Sequence, residues 1–444
     1  METYMSHLFF DYEWNHQEDV RGDELKATWA SLRIMLGDEC LSKGYDLAAR
    51  TVRTHIYVPL YPLAEWIVWN WWSILFEPEV PWLREQRGYS KRHNFRCVGD
   101  GIVIPDIEFF PLGEYVQVCW SPGHQPFQQI EFLGGGQALL PRDELSQTLY
   151  DFVKSVCDRL DQEGLSDTWL QQSWSIVCKS MEDPEETAFC RIVAKQGKDP
   201  YALSAYDETL FIQMGDRLPE VIWDDFFLLS DWNAVNAQVE EFQKNLEWIG
   251  SRSGEWKSLK RIQPSLSSLS SVHKLPWNQG YELAGQVRKA FDIPLNASFS
   301  SYEAVADGLD ISFEYLKESI KDDVSLFAGM DAMVGGNHNA SPAFILKKKR
   351  RSENQIFLFF RAICDHLLFP CAPSIISGVN TERQKRNRAF AAEFLAPADT
   401  IRQQLSRRDV ALDEVDEIAC SMGVSSYVIH HQIWNHELAV ISPE

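Results

Sequence analysis

The segment Gln263 to Pro276 carries five serines and has a proline near either end, a composition that favours extended, solvated backbone over helix or strand. It therefore reads as a linker over 263–276, dividing the 444-residue chain into a longer first part and a C-terminal part that begins near Trp277. Fourteen of the sixteen tryptophans precede it, so the two parts also differ in what they bury. With 45% hydrophobic residues, each part has enough apolar side chain for a core of its own.

In the first part, Pro59 and Pro62 lead into Leu63, Trp66, Ile67, Asn70 and Ile74, which fall on one face at helical spacing, and Pro78 and Pro81 close the run. Trp66, Trp69, Trp71 and Trp72 make it a buried core helix, with a base-stacking platform as the alternative. Asp23 to Gly37 reads as an amphipathic helix. Phe95–Val98, Gly101–Pro105, Ile107–Phe110 and Tyr115–Trp120 read as strands, so residues 1–130 are expected to form an aromatic-rich α+β module with an antiparallel sheet. Beyond Pro141, Leu145, Leu149, Phe152, Val153, Val156 and Leu160 recur at helical spacing behind Asp143 as N-cap. Further helices are expected over 170–180, 185–196 and 232–249, giving a helical region over 131–262. Residues 181–240 hold 13 acidic and four basic side chains. That block is a solvated acidic face or a docking surface for a basic partner.

The formal charge of −22 excludes a uniformly basic nucleic-acid coat and disfavours anionic membrane. Nine scattered cysteines without a C-x-x-C pair argue against a disulfide framework and against a cysteine-rich zinc site, which fits a reducing cytoplasm. Met1 to Trp14 lacks the basic start and apolar run of a signal peptide, and no 18-residue uncharged apolar stretch occurs, so a soluble cytoplasmic protein without a membrane partner is expected. Gly134-Gly135-Gly136 has no following Lys-Ser or Lys-Thr and reads as a turn. G-x-S-x-G, Walker and kinase motifs are absent.

Several pieces of residues 277–444 come in a familiar order. Helical patterns over Tyr281–Phe291 and Tyr302–Asp310 are followed by Asn337–Leu346, then by the helical run Ile356–Phe369, by Arg388-Ala389-Phe390-Ala391-Ala392-Glu393-Phe394-Leu395-Ala396-Pro397, and by Ile418–Ile433. This order resembles the ImmA/IrrE family of zinc metallopeptidase-like domains, and the resemblance implies a zincin-like α+β domain ending in a helix-turn-helix-like element. Peptidases of this kind hold zinc with H-E-x-x-H on a helix, the two imidazoles sharing a face and the Glu activating water. In this chain Ala362 stands where the first His belongs, Ile363 where the Glu belongs, and only His366 is retained. The third ligand falls among Gln384, Lys385 and Arg386, with Glu382 on another side of the helix. The resemblance thus implies a pseudo-peptidase with no catalytic residue and no cofactor. His366 then reads as a helix histidine satisfied by its neighbours. The alternative is an active zinc metallo-endopeptidase with a site rearranged around Cys364, Asp365, His366 or Glu393.

Independently of that resemblance, ten basic residues (Lys347, Lys348, Lys349, Arg350, Arg351, Arg361, Arg383, Lys385, Arg386 and Arg388) lie between Phe344 and Phe390 against three acidic ones. The run Lys347–Arg351 reads as a solvated hairpin tip, or the strip is a docking patch for phosphate or for an acidic segment. Opposite charge lets the acidic block and the basic strip attract each other. Ala419, Gly423, Val424, Ser425 and Ile429 match a helix-turn-helix, but its second helix offers Ser426, Tyr427, His430, His431 and Gln432 without Lys or Arg, a poor set for reading bases. The expectation is a catalytically inactive regulatory or sensor protein of prokaryotic stress response, mobile-element control or phage defence. It would bind a protein partner, either a helix-turn-helix regulator or a defence-system component, through Arg361, Arg383, Lys385, Arg386 and Arg388. The further alternative is nucleic-acid binding through 347–388.

Overall fold

The computed structural model describes residues 7–85, 88–99, 101–123, 129–252, 256–262, 275–323, 326–336, 342–370, 372–405 and 409–442. The architecture is α+β, and the chain divides into two compact units, Met1–Glu208 and Thr209–Glu444. The helical region read over 131–262 is shared between them, and residues 263–274 of the Ser/Pro segment lie outside the described residues.

In the first unit, β1 (Leu8–Trp14) is followed by the single turn α1 (Asp23–Ala27), then by β2 (Trp29–Leu36), β3 (Glu39–Cys40), β4 (Gly44–Asp46), β5 (Thr51–Arg53) and β6 (Ile56–Pro59). The helix expected over 23–37 is therefore mostly strand. Ala30, Leu32, Ile34 and Leu36 are buried at every second position, the strand period, and pairing with β1 on one side and with β6 and β3 on the other fixes it. Next come α2 (Tyr61–Trp69) and α3 (Trp71–Phe76), two helices where one was expected. They break at Asn70, whose side chain donates to the Trp66 carbonyl (2.7 Å). Trp66, Trp71 and Trp72 are buried and Trp69 is exposed.

After the short α4 (Tyr89–His93), residues 95–98 form a 3-10 turn and 101–105 no strand. The predicted strands over 107–110 and 115–120 are β7 (Asp106–Pro111) and β8 (Tyr115–Ser121). With β9 (Ile130–Phe132) and β10 (Gly136–Pro141) they complete the antiparallel sheets β10-β8-β7 and β5-β4-β9. Helices α5 (Arg142–Gln162), α6 (Trp169–Glu182) and α7 (Pro184–Lys195) follow. Pro141 rather than Asp143 occupies the N-cap of α5. Around α4, Arg92 grips the buried Glu77 with two bonds (2.9 and 2.6 Å), and Arg84 joins Glu108 (2.6 Å) and Glu79.

The second unit contains α8 (Ala205–Arg217, which carries the division), α9 (Trp223–Leu229), α10 (Val235–Gly250), α11 (Pro276–Ala290), α12 (Tyr302–Gly308), α13 (Phe313–Ser319), β11 (Ile320–Asp323), β12 (Met330–Gly336) and β13 (Pro342–Lys347). It continues through α14 (Ser352–Leu368), β14 (Ser374–Ser377), α15 (Glu382–Leu395), α16 (Ala398–Gln404), β15 (Asp409–Ala411), α17 (Leu412–Met422), α18 (Ser426–Asn435) and β16 (Val440–Ser442). The main sheet has the order β11-β13-β12-β14; β11 runs parallel to β13, and the other pairs are antiparallel. Helix α10 packs on β12 and β13 so closely that a Cβ on Gly335 would fall 2.8 Å from the Ile249 side chain. Between α17 and α18 the chain turns at Gly423 with φ 69°, a left-handed conformation that suits glycine. Among the described residues, no helix is long and apolar enough to cross a membrane, and no disulfide joins the cysteines.

Candidate functional site

The chemistry-bearing residues of the second unit gather where α14 and α15 face each other beside β12 and β14. The N-terminus of α15 is set by Thr381, whose hydroxyl accepts from the Gln384 amide N–H (3.4 Å). From there Gln384, Asn387, Ala391 and Phe394 recur at helical spacing and all are buried.

The positions that the family pattern assigns to the metal lie inside this packing. Ala362 and Ile363 are 0% and 1% exposed, within the apolar cluster that includes Phe359, Phe360, Phe390 and Phe394. His366 is 3% exposed, and its ring meets Phe344 edge-on at 6.3 Å. Gln384 makes three hydrogen bonds. Its carbonyl oxygen accepts from Arg361 (3.0 Å) and from the Ser377 N–H (3.0 Å), and its amide donates to the Ile375 carbonyl (2.8 Å). It therefore closes the edge of β14 onto α15. Arg361, also buried, donates to the Ser377 carbonyl and lies 3.5 Å from Asp331 on β12.

A second pair lies one helical turn along. Asp365, 1% exposed, receives two parallel bonds from Arg383 (both 2.6 Å) and one from Asn387 (3.1 Å). Burial alone would raise this carboxyl; the Arg383 charge and hydrogen bonds, with the one from Asn387, hold it below the usual carboxylate range. Asp225 on α9 stands 3.5 Å from the other side of Arg383, so the acidic block does meet the basic strip at one ion pair. Cys364 is buried, which pushes its thiol well up. Glu393 lies among other neighbours, accepting from Gln432 (2.7 Å) and lying 3.5 Å from His436, and burial raises it to about 7. Among the described residues no group of three or more His, Cys, Asp and Glu side chains is placed to hold a metal. One imidazole in a phenylalanine-lined core, beside an amide and a carboxylate already bonded to arginines, does not fit a zinc ion that needs three protein donors.

The basic strip is distributed differently from the expectation of an open docking patch. Lys348, Arg350 and Arg351 are exposed, but Lys349 binds Asp331 (2.7 Å). Lys347 is half-buried at the end of β13. Arg361 and Arg386 are buried, and the guanidinium of Arg386 lies over Phe369 (5.6 Å). Lys385 covers Trp277 (5.8 Å), and Arg388 is bonded to Val379 and Asn380. Arg361, Arg383 and Arg386 thus serve the interior rather than a surface, because each finds aromatic or polar partners there. Asn337–Ser341, part of the family pattern, lie outside the described residues.

Comparison with known protein families, with curated proteins and with solved structures gives no match. Sequence reasoning missed Asp331 and Asp225. Asp331 had a legible signal, a lone carboxylate inside the apolar strand Met330–Gly336. On α18, Tyr427 (72% exposed), His430, His431 and Trp434 (75% exposed) make one solvent-facing aromatic stripe, with Tyr427 and His431 rings 4.2 Å apart. Gln432, by contrast, is buried and bonded to Glu393.

Proposed function

We propose that the chain is a non-catalytic ImmA/IrrE-like regulatory protein that works by binding a protein partner. The observation that carries this reading is the closure of the would-be metal locus: Gln384 is taken by Arg361, Ser377 and Ile375, and Asp365 is taken by Arg383. Such a locus leaves a single imidazole, His366, where a zinc site needs three donors, and no carboxylate in register to activate water. The helix pair α17–α18, turning at Gly423, supports the helix-turn-helix-like reading of the C-terminal element. Its exposed surface favours protein over nucleic acid, since Asp413, Asp416 and Glu417 of α17 are exposed and would repel phosphates. The partner segment accordingly brings apolar anchors for Tyr427 and Trp434 and basic residues for α17. The prokaryotic stress, mobile-element and defence context rests on the family resemblance.

Metal analysis of the purified protein tests the first half of the proposal. The expected result is zinc well below one equivalent; stoichiometric zinc that disappears on His366→Ala overturns it in favour of an active peptidase. The second half is tested by co-purification with the product of the neighbouring gene. Trp434→Ala is expected to abolish capture of that protein while the variant stays folded, and unchanged capture overturns the assigned surface.

A further inference from the structure

Arg361 on α14 and Arg388 on α15 reach the same short piece of chain, from the last residue of β14 to Asn380. Arg361 donates to the Ser377 carbonyl, and Arg388 donates to the Val379 carbonyl (3.1 Å) and to the Asn380 side-chain oxygen (2.9 Å). Every one of those acceptors is neutral. The carboxylate that faces the Arg361 guanidinium is Asp331, 3.5 Å away and shared with Lys349 (2.7 Å). The next carboxylate toward Arg361, Asp365, is already gripped by Arg383. Among the described residues, Arg388 has no carboxylate within ion-pair distance, and the Nε of the buried Arg361 has no hydrogen-bond partner. Burial, and after it the charge of Arg361, bring the Arg388 guanidinium down to about 9.

Three cations around one carboxylate leave a local excess of two positive charges in a half-buried place, where water screens them poorly. We propose that Lys349, Arg361 and Arg388, gathered around Asp331, bind the phosphate group of a small phosphorylated molecule. A phosphate monoester dianion matches the excess of two, whereas a carboxylate leaves one charge uncompensated. Guanidinium forks present paired N–H donors in the geometry that phosphate oxygens accept. Tyr427 is exposed on α18, which packs against α15, the helix that carries Arg388, so its ring offers a flat apolar face on the neighbouring helix. That face suits the base of a nucleotide. The cluster of Lys349, Arg361 and Arg388 does not depend on the partner-binding reading, and either can fail alone; Tyr427 is the residue the two have in common.

The test is calorimetric titration of the full chain with inorganic phosphate and with adenosine 5′-monophosphate, at constant ionic strength set by chloride. Saturable binding is expected, at least about tenfold weaker in Arg388→Gln and a few fold weaker in Lys349→Gln. Asp331→Asn is expected to tighten binding, an effect that a merely structural role would not produce. Absence of saturable heat with both probes, or an affinity unchanged in Arg388→Gln, overturns the proposal. If Arg388→Gln does not fold, Lys349→Gln at the accessible rim decides in the same way. Tighter binding of the nucleotide than of phosphate, with the difference lost in Tyr427→Ala, assigns a nucleotide; equal affinities assign free phosphate.

Discussion

Each unit buries a cluster of charges, and the two clusters are assembled on different rules. Around α4 every guanidinium of the described residues has a carboxylate: Arg92 holds Glu77 with two bonds, Arg84 lies between Glu79 and Glu108, and Arg96 pairs with Asp106. Among the described residues between α14 and α15, Arg383 follows that rule, with Asp365 and Asp225; Arg361 shares the single Asp331 with Lys349, and Arg388 bonds only neutral groups. A balanced cluster fixes helices in place and asks for nothing more. An unbalanced one costs stability, and under the proposal above the charge of a bound phosphate group offsets that cost.

The sharpest way to break the comparison is to remove one partner from each balanced pair. Arg92→Ala and Arg383→Ala each strand a carboxylate that is 1% exposed, and urea unfolding is expected to show a loss of about 3–5 kcal/mol in the unit concerned. Smaller losses would mean that the balanced pairs are not what holds these helices. Glu393 is the anionic counterpart of Arg388, a carboxyl raised to about 7 by burial. The folded chain keeps that proton when the unfolded chain, near the ordinary 4.5, has lost it. Stability therefore falls as pH rises from about 4.5 to about 7, by on the order of 3 kcal/mol, and levels off above. Glu393→Gln should flatten this slope in thermal melts followed across that range.

Gln384→Ala removes the bonds to Arg361, Ser377 and Ile375 together, and the polar groups left in the interior should cost about 1–3 kcal/mol in the same unfolding assay. Arg388→Gln is expected to move stability least, by within about 1 kcal/mol and toward a gain without phosphate, because it removes an uncompensated charge. A loss as large as that of Arg383→Ala would erase the distinction between the two kinds of cluster.

The long helices of the second unit were legible because apolar residues recur at three- and four-residue spacing, as in Ile356 to Phe369, and because Gly423 marks the turn between the last two. Trp29 to Leu36 was not legible: its apolar residues satisfy both the helical and the alternating pattern over so short a run, and only pairing with β1 and β6 decides. The vacancy of the H-E-x-x-H pattern could be read at Ala362 and Ile363. What fills the place could not. Arg361, Arg383 and Arg386 looked like surface charge because burial of an arginine depends on partners distant in sequence, Asp331 on β12, Asp365 on α14 and Phe369 beyond it. The basic strip was a correct count of charge, and its exposed portion reduces to Lys348, Arg350 and Arg351.

The tight seat of Ile249 on Gly335 decides where this protein should be cut. A fragment beginning at Trp277, the natural choice from the Ser/Pro segment, would leave α10 behind and uncover the apolar side of β12 and β13 that the helix shields. Such a fragment should be recovered mostly as aggregate. One beginning near Ala205 carries its own cover and is the piece to express when the C-terminal chemistry is studied alone.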